Sequence, residues 1–294
     1  GATLSVYRAG FERNNAINAE DAVNLTVTNS GTISVVNGTS AIKLPATSAA
    51  QITNNAGGTI YAKSATITGT ATTSTPTITN SGDIYVSTSG NAIDFDNVSG
   101  ATITNSAGGN IYNQAGTKAV IYLGSSSTLT NSGTIQHIKY ATTNYWSIRV
   151  KGDNNTIILK DEGLVLGMIE ADSGTSGNKL QFDHGFGRTY FYETTGDFIL
   201  EDLSGNTVVK GSAGSVGQGA NETVDELLGL RSYNLRSALK RYSAFPKKSG
   251  KKEIYTEPFS YYSKRGISSS VLGYDTYGYG LTIIHPLLSN KLDL

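Results

Sequence analysis

Apolar and polar positions recur with a nearly constant period along the first half of the chain. Each repeat has a short apolar–Thr–Asn segment, a tight turn containing Gly, and a second segment starting near Ile. The shared Asn falls at positions 29, 54, 80, 105 and 131, in steps of 25, 26, 25 and 26 residues. A second apolar set keeps the same spacing at Ile42/Leu44, Ile67, Ile93/Phe95, Ile121/Leu123 and Ile148/Val150. Apolar–polar alternation predicts half-buried strands, and Asn, Ser and Gly predict the turns between them.

A unit of this size cannot bury its apolar face alone, but stacked units can. The repeat therefore predicts an all-β fold, a right-handed parallel β-helix with one rung per unit over residues 1–150. Neighbouring rungs would then lie roughly 4.8 Å apart.

The repeated Asn allows two interpretations. We expect Asn29, Asn54, Asn80, Asn105 and Asn131 to form a structural ladder at one corner, with their amides hydrogen-bonded along the stack. The alternative is a ligand-binding stripe. The Gly-Gly-x-Gly-x-Asp pattern of calcium-binding repeats is absent from the sequence, so we predict no calcium site.

The repeat loses its regularity after residue 150, and residues 151–220 are predicted to be a terminal, capping part of the β-helix. Strands are expected at 154–159, 164–169, 177–182 and 189–192. The last rung of a solenoid has no neighbour on one side and must differ from the others. Four aromatic residues are expected to cover that open end: Phe182, Phe186, Tyr190 and Tyr192.

Residues 221–252 are predicted to be a linker helix followed by a basic loop. Thr223 and Glu226 have the spacing of a capping box, and no Pro interrupts residues 223–243. Arg231 and Arg236 exclude a lipid-facing helix. An ordinary amphipathic helix on a soluble domain and a helix inside a water-filled tube both fit this segment.

Residues 253–294 have the pattern of outer-membrane barrel strands. The alternation is clear in the second segment, where one face carries Tyr277, Tyr279, Leu281 and Ile283 and the other carries small or polar residues. Such alternation with abundant Tyr is typical of a transmembrane β-strand. The first segment, 254–262, alternates poorly because Tyr261 and Tyr262 are both large.

The order of these parts resembles the autotransporter (type V secretion) family of Gram-negative bacteria. The resemblance is carried by the Thr-Asn-Ser-Gly-Thr-Ile units, by 154–167 at the end of the solenoid, by 228–234 in the helix, and by 257–259 and 273–278. The ordered combination of these motifs covers essentially the whole chain. The family's barrel has many more strands, so the chain is expected to be a fragment truncated at both ends. The helix has no adjacent Asn beside Asn234, so self-cleavage is not expected.

The resemblance implies a passenger β-helix with a structural or adhesive role, carried to the cell surface by its own outer-membrane barrel. It implies that the helix lies in the barrel lumen, with Leu228, Arg231, Asn234 and Arg236 among its lumen residues. Implied partners are outer-membrane lipid, the barrel-assembly machinery, and a glycan or protein receptor. We expect a monomer, at the outer membrane for the barrel part and at the cell surface or outside the cell for the passenger.

Composition removes several other classes of function. The chain has no Cys, which excludes disulfides, zinc–thiolate sites and thiol nucleophiles. Its 23 basic and 23 acidic residues give a net charge of zero, which argues against a general nucleic-acid binder. Eight Lys and Arg lie between Arg231 and Lys252, which we interpret as a linker and turn instead of a nucleic-acid or lipid site. The three His have no ligand spacing, and no cofactor is expected.

A carbohydrate-active β-helix enzyme is the main alternative. Asp94 and Asp96 are a candidate carboxylate pair, with Arg149–Lys151 and Asp183–His184 as further candidates. Glycosidase chemistry needs two carboxyl groups roughly 5–10 Å apart, one with a raised pKa, and the sequence does not establish this. We therefore predict that the chain is not an enzyme. A fibre-like structural β-helix is the third interpretation.

Overall fold

The structure is a computed structural model that divides into two units, 1–215 and 216–294. It describes residues 3–6, 15–46, 48–70, 75–138, 145–185, 188, 190–206, 208, 218–244, 254–266 and 274–285. Phe186, one of the four predicted capping aromatics, lies outside these residues. The two units are described separately below.

The first unit is a parallel β-helix, as the repeat predicted. Its strands up to the end of the repeat are β1 (Thr3–Val6), β2 (Asn15–Asn18), β3 (Leu25–Asn29), β4 (Thr32–Val35), β5 (Ser40–Lys43), β6 (Ala50–Asn54), β7 (Thr59–Ala62), β8 (Ala65–Thr68), β9 (Thr77–Asn80), β10 (Asp83–Val86), β11 (Ile93–Phe95), β12 (Thr102–Asn105), β13 (Asn110–Asn113), β14 (Ile121–Leu123), β15 (Thr128–Asn131), β16 (Thr134–His137) and β17 (Trp146–Val150). The terminal strands are β18 (Thr156–Lys160), β19 (Leu164–Leu166), β20 (Met168–Ala171), β21 (Lys179–Asp183), β22 (Thr194–Thr195) and β23 (Ile199–Asp202).

These strands form three sheets in which every neighbouring pair is parallel. Sheet A has the order β1-β4-β7-β10-β13-β16-β19. Sheet B has the order β2-β5-β8-β11-β14-β17-β20-β22. Sheet C has the order β3-β6-β9-β12-β15-β18-β21-β23. Each sheet takes one strand from each full rung, so a residue stacks on its equivalent one repeat away.

The core contains a long apolar column on the inward face of each sheet. In sheet A the column is Ile33, Ile60, Ile84, Ile111, Ile135 and Val165. In sheet B it runs from Ile42 through Ile67, Ile93, Ile121 and Ile148 to Ile169, and in sheet C from Val27 through Ile52, Ile78, Ile103, Leu129 and Ile157 to Leu180. β-branched residues favour strands and pack well on a pleated surface. Burial of one such side chain stabilises the fold by about 1.5–3 kcal/mol.

Glycine is required in the Asn turns because the preceding rung lies very close. A Cβ on Gly82 would lie 2.2 Å from the carbonyl oxygen of Gly58, and one on Gly133 would lie 2.2 Å from that of Gly109. The longer turns contain an additional Gly with a left-handed backbone, for example Gly108 with a φ of 82°. Repeats with Ser-Gly and repeats with Ala-Gly-Gly therefore use Gly for two different reasons.

Aromatic side chains close the C-terminal end of the β-helix. Phe182, Tyr190 and Tyr192 are buried, and the ring centroid of Phe182 lies 4.4 Å from that of Tyr190. Asp202 accepts hydrogen bonds from the Tyr190 hydroxyl at 3.0 Å and from the backbone N–H groups of Ser204 and Asn206 at 2.8 and 3.2 Å. One carboxylate thus fixes both the aromatic cluster and the loop that follows β23.

Two predicted terminal strands differ from the observed ones. The segment predicted as one strand at 164–169 forms β19 and β20 in different sheets, because the chain turns at Gly167, whose φ is 135°. The described part of the segment predicted as a strand at 189–192 contains one bridge residue, Phe191, with Tyr190 and Tyr192 buried on either side of it.

The second unit contains one long helix and a hairpin in its described part. The helix α1 is Gln218–Ala244, and β24 (Tyr255–Arg265) pairs antiparallel with β25 (Tyr274–Ile284). The helix begins five residues before Thr223, so the predicted capping box is wrong: Thr223 is inside the helix. Glu226 instead contacts the hairpin. Among the described residues, no helix has both the length and the apolar character needed to cross a membrane.

Candidate functional surfaces

The five repeated asparagines form a continuous hydrogen-bonded column on the inward face of sheet C. Their side chains are at most 4% exposed. Each Nδ2 donates to the Oδ1 of the next residue in the column: Asn29 to Asn54 at 2.8 Å, Asn54 to Asn80 at 2.9 Å, Asn80 to Asn105 at 2.8 Å, and Asn105 to Asn131 at 2.8 Å. All four bonds point towards the C-terminus.

The same amides also bind the backbone of the turns. The Nδ2 of Asn80 lies 3.0 Å from the carbonyl oxygen of Gly82 and 3.3 Å from that of Asn110, and its Oδ1 accepts from the Gly82 N–H at 3.3 Å. Buried polar groups need such partners. The hydrogen-bonding capacity of these side chains is directed into the protein, which is the arrangement of a structural ladder.

The column changes character at the end of the repeats. Asn131 is in register with Leu159, which is followed by Phe182 and Asp202. A separate pair of asparagines lies just before β18 and β21, where Asn155 Nδ2 donates to Asn178 Oδ1 at 3.1 Å. The sequence reasoning missed this pair because it falls outside the regular repeat.

The outward face of sheet B carries the charged residues that suggested an enzyme. Asp94 stacks in register with Tyr122 and Arg149. Arg149 Nε lies 2.6 Å from Asp172 Oδ1, and the Lys151 ammonium lies 5.2 Å from the ring centroid of Tyr122. Burial raises the pKa of the Asp94 carboxyl. The ion pair and the ring contact organise this face as a surface network.

Among the other enzyme candidates, Asp183 lies in a different sheet from Asp94, whereas Asp96 lies beside it. Asp96 follows β11 in an exposed turn, and its backbone N–H donates to Asp94 Oδ1 at 3.4 Å. Asp183 and His184 lie at the end of β21 in sheet C, where Lys160 Nζ lies 3.8 Å from an Asp183 carboxylate oxygen. Asp94 and Arg149 of sheet B are therefore separated from Asp183, which belongs to sheet C.

Sheet A presents a column of stacked tyrosines that the sequence reasoning missed. Tyr61, Tyr85 and Tyr112 are in register, with ring centroids 4.9 and 4.7 Å apart and planes only 3° and 8° from parallel. A cleft of about 230 Å³ adjoins Tyr112. The signal in the sequence is the recurring Ile-Tyr pair, which places a Tyr outward beside each inward Ile.

A larger cleft lies near the C-terminal end of the β-helix. It has a volume of about 690 Å³ and lies between β19 and the segment Tyr190–Glu193. Leu164 and Phe191 line it and are 54% and 81% exposed. Asp161, Glu162 and His184 line both this cleft and an adjoining one of about 640 Å³.

In the second unit, charged residues join α1 to one face of the hairpin. Glu226 pairs with Arg265, and Arg241 pairs with Glu257. The hydroxyl of Tyr274 also donates to a Glu226 carboxylate oxygen at 2.8 Å. The sequence reasoning did not select these residues.

The predicted lumen residues of the helix have different surroundings. Leu228, Arg231 and Arg236 are exposed, and Asn234 is half-buried. Leu228 lies on the same exposed side of the helix as Leu235 and Leu239.

The other face of the hairpin is apolar in β25. Tyr277, Tyr279, Leu281 and Ile283 point outward and are between 55% and 90% exposed. The face towards the helix is unusual, because aromatic rings of β24 cover glycines of β25. A Cβ on Gly278 would lie 2.2 Å from the ring of Tyr261, and one on Gly280 would lie 2.6 Å from the ring of Phe259.

Within the described ranges, no group of three or more His, Asp and Glu side chains is arranged to hold a metal ion. Comparison with known proteins gave no matching family model, no matching curated protein and no matching solved structure. The fold and these surfaces are therefore the basis for the functional proposal.

Proposed function

We propose that the β-helix is a surface-presented passenger with a structural or adhesive role, and that α1 and the hairpin belong to an outer-membrane translocator of the autotransporter kind. The order of parts along the chain supports this proposal: a parallel β-helix, then a long polar helix, then an antiparallel hairpin. The proposal assigns no reaction to the β-helix.

The observation that carries the proposal is the two-sided hairpin. Both strands have 11 residues, and a transmembrane β-strand needs roughly 9–11. The outward face of β25 carries Tyr277, Tyr279, Leu281 and Ile283, while the opposite face carries glycines and the ion pairs to the helix. Outer-membrane strands have an apolar lipid face and a polar interior face.

The absence of native cysteine allows a direct test of export. Ala56 is exposed in a turn between β6 and β7, so Ala56→Cys gives a single accessible thiol within these 294 residues, and the protein without this substitution is the control. The complete gene product is expressed in a Gram-negative host, and intact cells are treated with a membrane-impermeant maleimide. We expect labelling on intact cells and recovery of the protein in the outer-membrane fraction.

Two charge substitutions on the outward face provide matched variants. Leu281→Arg places a cation well inside β25, where a lipid-facing Arg costs about 2–4 kcal/mol near the bilayer midplane. Asp275→Arg places the same side chain near the end of the strand, where the cost falls to about 0–1 kcal/mol. We expect Leu281→Arg to reduce surface labelling of Cys at position 56 much more than Asp275→Arg. Labelling only after cell lysis, or equal effects of both substitutions, would refute the proposal.

A further inference from the structure

Only the two end rings of the tyrosine column, Tyr61 and Tyr112, have a ring face that is not stacked on another tyrosine of the column. In the column, the rings of Tyr61, Tyr85 and Tyr112 stack face to face, so the two faces of Tyr85 are covered by its neighbours. The next residue in register beyond Tyr61 is Ser34, and the next beyond Tyr112 is Gln136. Neither residue continues the aromatic stack.

The Tyr112 end opens into the cleft of about 230 Å³. Its lining is mixed, with one aromatic residue, two apolar residues and three uncharged polar residues. The lining residues are Asn110, Ile111, Tyr112, Thr134, Gln136 and Ile138. Ile138 is 48% exposed at the rim. This volume is below the roughly 300–1,000 Å³ of sites for drug-sized ligands, and it suits a group of monosaccharide size.

The polar groups of the cleft are neutral and partly preorganised. Asn110 Nδ2 donates to Asp83 Oδ1 at 2.9 Å, which fixes the orientation of this amide. An amide has two N–H donors and an acceptor oxygen with two lone pairs, so Asn110 and Gln136 offer both donors and acceptors to a ligand. Thr134 adds a hydroxyl group. An aromatic surface beside such groups matches a molecule with an apolar C–H face and hydroxyl groups at its edge.

Asp83 also constrains the charge of the ligand. Its carboxylate lies one rung from the cleft and is held by Asn110. Burial, with smaller contributions from the charges of Asp83 and Tyr85, raises the pKa of the Tyr112 hydroxyl to about 12, so this hydroxyl is protonated at neutral pH. A negative charge placed beside Asp83 is repelled. An anionic sugar is therefore disfavoured relative to a neutral one.

We infer that this cleft, hereafter the Tyr112 cleft, binds one neutral pyranose unit of a glycan, with the sugar ring packed on Tyr112 and its hydroxyl groups bound by Asn110, Thr134 and Gln136. This inference deepens the adhesive part of the proposed function and does not depend on the export part.

The test uses the purified full chain and simple probes. Methyl β-D-galactopyranoside, methyl α-D-mannopyranoside and methyl β-D-glucopyranoside are titrated in saturation-transfer NMR, with methyl β-D-glucopyranosiduronate as the anionic comparison. We expect at least one neutral glycoside to bind saturably, with a Kd on the order of millimolar, and the glucuronide to bind at least tenfold more weakly.

Tyr112→Ala and Tyr61→Ala form a matched pair, because each removes one end ring of the same column but only Tyr112 lines the cleft. We expect Tyr112→Ala to weaken binding at least tenfold and Tyr61→Ala to change it less than twofold. Gln136→Ala provides a second, smaller substitution in the cleft and is expected to weaken binding as well. Urea unfolding of each variant checks that the β-helix remains folded.

Three outcomes would overturn the inference. The first is that no neutral probe binds saturably. The second is that Tyr112→Ala and Tyr61→Ala lose equal amounts of binding affinity. The third is that the glucuronide binds as tightly as its neutral counterpart. Surface labelling of the Ala56→Cys protein is measured separately on Tyr112→Ala cells. We expect it to be unchanged, so failure of sugar binding and failure of export are distinguishable.

Discussion

Replacing Asn80 with Ala is the sharpest perturbation of the asparagine column, because this residue is central and has an asparagine partner on each side. Its side chain is fully buried. It accepts a hydrogen bond from Asn54 Nδ2 at 2.9 Å and donates one to Asn105 Oδ1 at 2.8 Å. Truncation removes both bonds and leaves the Asn105 oxygen without that donor.

The size of the effect follows from these contacts. Each lost hydrogen bond reduces the net free energy of unfolding by about 0.5–1.5 kcal/mol, and a buried unsatisfied polar atom costs about 1–3 kcal/mol. The turn contacts to Gly82 are lost as well. We therefore expect Asn80→Ala to lower the free energy of unfolding by about 3–5 kcal/mol.

Asn55 supplies the matched control in the neighbouring turn. Its amide donates to the Ser30 hydroxyl at 2.8 Å on the exposed surface. Asn55→Ala is expected to change stability by less than about 0.5 kcal/mol. Asn80→Asp is a third variant that keeps the shape of the side chain but replaces the donor. At neutral pH its buried carboxylate would face the Asn105 oxygen, so we expect it to be at least as destabilising as Asn80→Ala.

The measurement is urea unfolding of the full chain, followed by far-UV circular dichroism and by the fluorescence of the single Trp. Two probes are needed because the rungs of a solenoid interact mainly with their neighbours and can unfold in parts. Hydrogen exchange would locate the loss in the rungs next to Asn80. Equal stability of Asn80→Ala and Asn55→Ala would refute the reasoning. So would an Asn80→Asp protein that is more stable at pH 7 than at pH 4, since only the protonated acid can donate.

Three further predictions concern other contacts of the β-helix. Gly82→Ala should lower the free energy of unfolding by at least about 3 kcal/mol, because its Cβ would meet the Gly58 carbonyl. Gly108→Ala has open space around the new Cβ but a left-handed backbone, so it should lower the free energy of unfolding by only about 1 kcal/mol. Urea unfolding compares the two variants. The pKa of Asp94 is raised by burial, so its carboxylate is disfavoured in the folded state, and the stability of the protonated form is lost as pH rises through the folded pKa. Asp94→Asn should therefore raise the urea midpoint at pH 7 and leave it nearly unchanged near pH 3; an equal gain at both pH values would contradict this. Asp202→Ala should expose the terminal aromatic cluster to faster hydrogen exchange and lower stability by about 2–4 kcal/mol, and unchanged protection there would show that other contacts hold the cap.

The β-helix and its asparagine column could be predicted from the sequence because two sets of positions, apolar residues and asparagines, recur with the same period. Inward apolar positions such as Ile78 and inward amide positions such as Asn80 recur together, and one register satisfies both. The tyrosine column was equally periodic but was missed, because Tyr61, Tyr85 and Tyr112 are outward residues and the reasoning looked for core positions. The same periodicity was available at the position after each inward Ile.

The hairpin shows why pattern reading failed in β24. Tyr261 and Tyr262 are adjacent and both large, which obscured the alternation. The structure assigns them to opposite faces: Tyr262 is exposed, whereas the ring of Tyr261 covers Gly278 on the neighbouring strand. Tyr261 fits on the face towards the helix because its partner on β25, Gly278, has no side chain. Such a pair is visible only once the strand register is known.

The start of α1 was misplaced for a related reason. Thr223 and Glu226 have the spacing of a cap, but α1 begins at Gln218. The carboxylate of Glu226 pairs with Arg265, which is distant in sequence. Local spacing could not reveal a partner on another element.

The alternation of short and long Asn turns sets the number of residues by which this β-helix can be lengthened or shortened. Short Ser-Gly turns follow Asn29, Asn80 and Asn131, and long turns ending in Gly-Gly follow the asparagines between them. Gly82 and Gly133 of the short turns face the carbonyl oxygen of the last glycine of a long turn. Gly58 and Gly109, the last glycines of the long turns, face asparagine groups instead. Removing one rung would place two turns of the same kind in contact. Removing or duplicating two rungs would preserve every such contact, so the natural module of this solenoid is a double turn, 51 residues long as counted from Asn29 to Asn80 and from Asn80 to Asn131.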